Sequence, residues 1–227
     1  MSSWLRVRLV LDRIVALVLL ALASPAVAAA AVLVRRHDGG PSLISVPRMG
    51  KGGRPIRMWK IRSMRAEAVD GTASGVPLTT AGDSRVTPIG ARLRAHHLDE
   101  IPQLYNVIRG EMCLFGPRPE APEFVDLDDP RWQEVLRVPP GLAGPTQLIV
   151  GDWERHRISN DPSGAAYISQ VLPVKLAIDA WYVRGASLGL DAQVAASLIR
   201  HLGAGIRPSS LIARVRAEVP EANQVPT

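Results

Sequence analysis

The stretch from Ile89 to Pro119 reads IGARLRAHHLDEIPQLYNVIRGEMCLFGPRP and carries an adjacent carboxylate pair, Asp99 and Glu100, ahead of a Gly-Pro-Arg-Pro turn. Thr87-Pro88 opens it as a helix start, a capping hydroxyl followed by proline at the first helical position. Ile89, Leu93 and Arg94 extend that helix toward His96. A second helix is predicted from Leu98 or Asp99, with Ile101, Leu104, Tyr105 and Ile108 at helical spacing and Gly110 after its end. Asp99 and Glu100 then fall in a first turn, where the helix dipole favours negative charge by about 0.3–1 kcal/mol each. Acids there serve equally well as plain dipole partners, so spacing alone leaves an anion or metal site open. Neighbours on a helix diverge by about 100°, so the pair does not face itself across a sugar as glycosidase acids must. One can instead act as nucleophile or metal ligand with the other as helper. Arg118, its backbone stiffened by Pro117 and Pro119, is a natural phosphate clamp.

Upstream, charge is distributed unevenly. Nine basic residues lie between Arg35 and Arg65 against one acid, Asp38, whereas nine acids face three arginines from Asp99 to Glu134. The net charge of +6 calls for anionic partners. No aromatic-basic platform accompanies the cations, which argues against nucleic acid. Leu43–Val46 and Ile56–Met64 read as strands flanking a glycine-rich basic loop that matches neither a Walker loop nor GxGxxG. Lys60 and Arg62, on the second strand, are candidate contacts to substrate phosphate or nucleotide, better placed for a specific role than the loop cations, which suit a solvated face or anionic lipid. Ala66–Gly82 is small and polar and reads as a mobile loop.

At the start of the chain, Ile14 to Val34 is 21 residues without a charge, roughly 31 Å as a helix at about 1.5 Å per residue. Arginines at both ends suit a segment whose ends stay on one face of a membrane. Ser24-Pro25 at its middle predicts a helix break and a re-entrant hairpin. A spanning helix or a cleaved secretory signal, with Ala26-Val27-Ala28 as a small-residue site, fits the same residues. The single cysteine, Cys113, excludes an internal disulfide and a cysteine metal site, and its apolar neighbours predict core packing. Downstream, Glu120–Glu134 reads as a helix start and loop covering the site, with its acids on the surface; Tyr167–Tyr182 and Asp191–Leu202 read as amphipathic helices that suit a membrane surface and core packing equally, and Glu218–Thr227 as a disordered tail. A chain of 227 residues supports one sizeable core. The fold class is α/β, mostly α with a small sheet or hairpin. Residues 1–36 are expected as a membrane helix, 37–217 as one folded domain and 218–227 as the tail.

Arg94-x-x-x-Leu98-Asp99-Glu100-x-Pro102-Gln103-Leu104-x-Asn106-Val107, with Gly110-Glu111-Met112 and Gly116-Pro117-Arg118-Pro119, closely resembles the bacterial sugar transferase family, the monotopic polyprenyl-phosphate phosphoglycosyl transferases, in its minimal catalytic form. The Arg48-x-Gly50 loop, Lys60–Met64, Pro140–Gly144 and Tyr182–Asp191 extend the likeness over most of the chain. The resemblance implies that Asp99 is a nucleophile attacking the β-phosphate of a nucleotide-diphosphate sugar, with polyprenyl (undecaprenyl) phosphate then taking the phosphosugar. It implies that Glu100 helps position Mg²⁺ or activate the acceptor, that Asp99 and Glu100 are the metal ligands, and that Arg94 and Arg118 contact phosphate or nucleotide. It implies a re-entrant helix broken at Ser24-Pro25, the cytoplasmic face of the bacterial inner membrane as the location, and a role in starting cell-surface glycan or exopolysaccharide assembly. Oligomeric state stays open. His97 departs from the Ser or Thr of relatives, and Pro145-Thr146-Gln147 from their aliphatic or aromatic residue and alanine before glutamine. An exported interaction protein with a cleaved signal is the competing expectation. Intact-mass analysis of the membrane fraction separates the two: the enzyme keeps Met1–Ala28, and the exported protein loses it.

Overall fold

Two ion pairs tie a 36-residue helix, α1 (Ser3–Asp38), to one folded body. The computed structural model describes residues 3–68, 83–161 and 163–226, so most of the loop predicted over Ala66–Gly82 lies outside the described residues. Near the start of α1, Arg8 is 3% exposed and donates to Asp191 at 2.9 Å and to the Tyr182 hydroxyl at 3.0 Å. Asp12, one turn on, accepts from the Leu114 amide at 3.0 Å. At the far end Asp38 pairs with Arg62 and accepts from the Ala66 amide. Between these ties Ala16 packs with Met58, Leu104, Val107 and Met112, and Ala30 and Val34 pack with Ile61 and Leu93. The rest of α1 carries exposed apolar residues such as Leu17, Leu22 and Leu33. By length and composition Val7–Asp38 is apolar enough to cross a membrane.

The helix runs through Ser24-Pro25 rather than breaking there. Pro25 has no N–H, which deprives the Ala21 carbonyl, four residues back, of its helical donor. The Ser24 hydroxyl donates to that carbonyl at 2.8 Å. In an apolar surrounding, where an unpaired carbonyl is costly, the serine repairs the defect that the proline makes.

β1 (Leu43–Met49) and β2 (Pro55–Ile61) form an antiparallel hairpin with Leu43 opposite Ile61 and Met49 opposite Pro55. α2 (Pro88–Ala95) begins as predicted, with the Thr87 hydroxyl accepting from the Gly90 amide at 2.9 Å. The following helix does not. Leu98–Glu100 is a separate 3₁₀ turn, entered through His97 at φ 55°, and α3 (Gln103–Arg109) starts only after Pro102. His97 makes no side-chain cap, so Asp99 and Glu100 belong to a tight turn rather than to the first turn of a helix. β3 (Cys113–Phe115) and β4 (Gly141–Ala143) pair in parallel. Their approach requires glycine: a Cβ on Gly141 would meet the Gly116 amide nitrogen at 2.2 Å. α4 (Pro130–Val135) packs on the helix Leu172–Gly185.

The largest core lies among α5 (Pro145–Asn160), α6 (Leu172–Gly185), α7 (Leu188–Ala204) and α8 (Ser209–Glu218). Residues 219–226, beyond α8, pack on the body where their polar composition predicts a disordered tail. Val219, Ala222 and Val225 recur every third residue along a 3₁₀ turn and bury in that core. Cys113 is fully buried as expected, and burial pushes its thiol up to about 12.

Arg8→Ala leaves Asp191 buried without its cation. We expect a loss of about 3–5 kcal/mol, the usual cost of breaking a buried pair from one side, read as a lowered unfolding midpoint of the detergent-solubilised chain.

Candidate active site

Asn106 on α3 registers the carboxylate turn against the hairpin. Its side chain accepts from the Trp59 amide at 3.0 Å and donates to the Arg57 carbonyl at 2.8 Å and to Glu111 at 2.7 Å. This lateral clip brings Lys60, on β2, beside Glu100. The Lys60 ammonium lies 3.2 Å from Glu100, and Arg118 reaches the same carboxylate at 2.7 and 3.4 Å. Arg118 is carried there by the Gly116-Pro117-Arg118-Pro119 loop, anchored by a 2.7 Å bond from the Gly141 amide to the Pro117 carbonyl and a 2.9 Å bond from the Gly116 amide to the Ala143 carbonyl.

The two adjacent acids are thereby driven apart. Burial alone would raise the pKa of Glu100; Arg118 and Lys60 together outweigh it and hold the carboxyl well below its ordinary range. Asp99 is 5% exposed and forms no ion pair among the described residues. Burial, with a contribution from the charge of Glu100, pushes Asp99 above the ordinary carboxylate range against the opposing pull of Lys60 and Arg94. Burial also lowers Lys60, with Arg118 beside it adding to the effect, while Glu100 opposes both. One acid is a fixed counter-charge, and the other is a shielded, more basic carboxylate.

Arg94 stands behind Asp99, its Nε donating to the Ser63 hydroxyl at 2.8 Å. That contact depends on α2 lying against the strand end, where a Cβ on Gly90 would meet the Ser63 carbonyl at 1.9 Å. Arg62, expected at the substrate, is elsewhere. Its side chain is 1% exposed, and its guanidinium is committed to Asp38 and to the Pro41 and Met64 carbonyls. It anchors α1, with four of its five N–H donors spent on Asp38, Pro41 and Met64.

Lys60, Arg118 and Pro119 line a cleft of about 1090 Å³ together with Arg48, Glu120 and Lys175. Sequence reasoning assigned the acids of Glu120–Glu134 to the surface. Glu120 is instead half-buried, accepting from Lys175 at 3.1 Å and from the Tyr167 hydroxyl at 2.5 Å, and Lys175 also reaches Glu154 at 2.9 Å. Its only sequence signal was adjacency to the Arg118 turn. Thr146, the unusual residue of Pro145-Thr146-Gln147, is buried with its hydroxyl on Asp179, whose carboxyl burial pushes to about 7. Gln103 is fully buried, and both atoms of its amide lack a partner among the described residues.

The described residues hold no cluster of three or more His, Cys, Asp or Glu side chains for a metal. Asp99 and Glu100 nevertheless suit Mg²⁺, which takes one or two protein carboxylates and completes its shell with water and substrate phosphates. The unpaired carboxylate of Asp99 is the available oxygen donor.

A family model described as bacterial sugar transferase matches residues 3–204. The chain belongs to the bacterial sugar transferase family. A Bacillus subtilis (strain 168) protein, provisionally named as an undecaprenyl-phosphate N-acetylgalactosaminyl 1-phosphate transferase, is 41% identical over 74% of this chain and 85% of its own length. A UDP-N-acetylgalactosamine-undecaprenyl-phosphate N-acetylgalactosaminephosphotransferase of Aeromonas hydrophila is 33% identical over 86% of the chain. A UDP-glucose:undecaprenyl-phosphate glucose-1-phosphate transferase of Caulobacter vibrioides is 39% identical over 61% of it. The matches span 43% and 52% of those two relatives. These relatives are phosphoglycosyl transferases by name.

Glu100→Gln tests the clamp. A depressed native pKa contributes stability that is complete above the ordinary value of 4.5 and is lost as pH falls through the native value. We expect the variant to be about 1–3 kcal/mol less stable at pH 7, because Lys60 and Arg118 lose their shared anion. The gap to wild type should narrow between about pH 5 and pH 3 in thermal unfolding.

Proposed function

We propose that the chain transfers a phosphosugar from a UDP-sugar to polyprenyl phosphate, with Asp99 as covalent nucleophile. The observation that carries this reading is the division within the acid pair: Glu100 is clamped by two cations, while Asp99 is buried, unpaired and more basic than an ordinary aspartate. A desolvated carboxylate is the better nucleophile. An Asp99 oxygen attacks the β-phosphorus, the bond from that phosphorus to the bridging oxygen breaks, and UMP leaves with the electron pair. An oxygen of polyprenyl phosphate then attacks the same phosphorus and releases Asp99, giving the polyprenyl diphosphosugar. Lys60 and Arg118 face the cleft and offset the charge of the diphosphate as it shifts to the leaving group. Bound Mg²⁺, held by Asp99 and Glu100, would neutralise phosphate charge.

The same reading puts the catalytic body on the cytoplasmic face, with α1 re-entrant through a bend at Pro25 rather than through a break. Both ends of α1 are tied to that one body through Arg8–Asp191 and Asp38–Arg62, which supports entry and exit on a single side. These ties also weigh against a cleaved signal. Removing Met1–Ala28 would take away Arg8 and Asp12 and strand their buried partners Asp191 and the Leu114 amide.

With donor, polyprenyl phosphate and Mg²⁺, Asp99→Asn should lose UMP release by about 10³-fold or more. Wild-type protein given donor without acceptor should gain the mass of one phosphosugar on the peptide containing Asp99. Full activity in the variant, or no adduct on that peptide, would sink the assignment.

A further inference from the structure

The match to the family ends at residue 204, yet the cleft does not. Its far side is built from Arg207 and from Ser209, Ala213 and Arg216 of α8, with Trp153 and His201 facing them. On a helix Ser209, Ala213 and Arg216 fall on one stripe, at positions i, i+4 and i+7. The opposite stripe, Leu211 and Val215, is fully buried in the main core. α8 is therefore fixed by its apolar face and turns its polar face to the cleft. The segment is held from behind as well: Trp181 donates to Glu218 at 2.7 Å, and Arg216 to the Val225 carbonyl at 2.6 Å.

Three observations describe what this wall would take. Arg207, Ser209 and Arg216 set two cations and a hydroxyl among the apolar Ile212, Ala213, Val225 and Pro226, and Lys60 and Arg118 lie on the same cleft. Arg216 Nε, Trp153 Nε1 and His201 Nδ1 have no hydrogen-bond partner among the described residues. Two of these are N–H donors whose nitrogens are buried behind the cleft surface, so they meet an oxygen acceptor only when their side chains turn toward the cleft. Among the described residues Arg207 pairs with Asp152, at 3.6 Å, with both side chains more than 60% exposed. Such a pair is weak and yields readily to a stronger anion.

We infer that residues 205–226 form a binding wall for the nucleotide-sugar donor, in which Arg207 and Arg216 contact the polar part of the donor beyond the diphosphate held at Lys60 and Arg118. An isoprenoid chain is the wrong occupant, because it would desolvate these cations and return no hydrogen bonds. The acceptor therefore approaches from another side of the centre. This inference rests on the donor chemistry proposed above.

The test is calorimetric titration of the full chain in detergent with UDP-N-acetylgalactosamine and, in parallel, UDP-glucose, beside steady-state kinetics for both substrates. Ala213 is exposed, so Ala213→Trp fills the cleft without disturbing the core. It should weaken donor binding at least tenfold and leave the KM for polyprenyl phosphate within twofold. Arg207→Ala should weaken donor binding three- to tenfold. Ser210→Trp, one residue from the stripe and outside the lining, should change neither. Donor affinity unchanged in both Ala213→Trp and Arg207→Ala overturns the wall, as does a rise confined to the acceptor KM. Donor binding by wild type without UMP release overturns the transfer reading alone, and the titrations still decide the wall. Failure of wild type to bind either UDP-sugar overturns both.

Discussion

A guanidinium buried at the foot of an apolar helix constrains the rest of the molecule. Arg8 cannot stay charged inside the protein without partners, and Asp191 and Tyr182 supply them from the far end of the sequence. That requirement presses α1 against β3 and α3 and brings the start of α7 beneath it. At the other end Asp38 makes the same demand of Arg62. An apolar helix that might otherwise float free of its domain is thus fastened twice, and its remaining apolar surface is left to face lipid.

The hairpin and α3 held by these ties carry the candidate site. Asn106 sets their register, so that Lys60 and Arg118 converge on Glu100 and leave Asp99 alone. Low dielectric acts on the two acids in opposite senses. Paired with cations it deepens the ionisation of Glu100; unpaired it raises Asp99. Two adjacent carboxylates acquire different roles from their neighbours rather than from their own chemistry.

Much of this was legible in the residues. The charge-free run to Val34, the Thr87-Pro88 helix opening, the stiff turn around Arg118 and the core character of Cys113 all follow from local patterning, and each is found as read. Arg62 was misread because alternation on a strand does not say which cation meets a buried acid from elsewhere. Glu120 was misread because an acidic stretch looks solvated until a lysine 55 residues away is folded onto one of its members. The tail was misread because three small apolar residues among polar ones carry little hydrophobic signal, although a 3₁₀ turn aligns them on one side.

By itself the sequence determined what the chain is made to meet: an apolar helix for a membrane, a cationic arm for anions, and an acid pair beside a rigid arginine. These are matters of composition and of spacing within a few residues, which short-range geometry fixes. Only the tertiary structure decided which acid is clamped and which is free, which arginine lines the cleft and which anchors a helix, and that a segment beyond the family match lines the same cleft. Those choices depend on charges brought together across 18 to 183 residues of chain, where burial and pairing set each group's energy and no local pattern records the outcome.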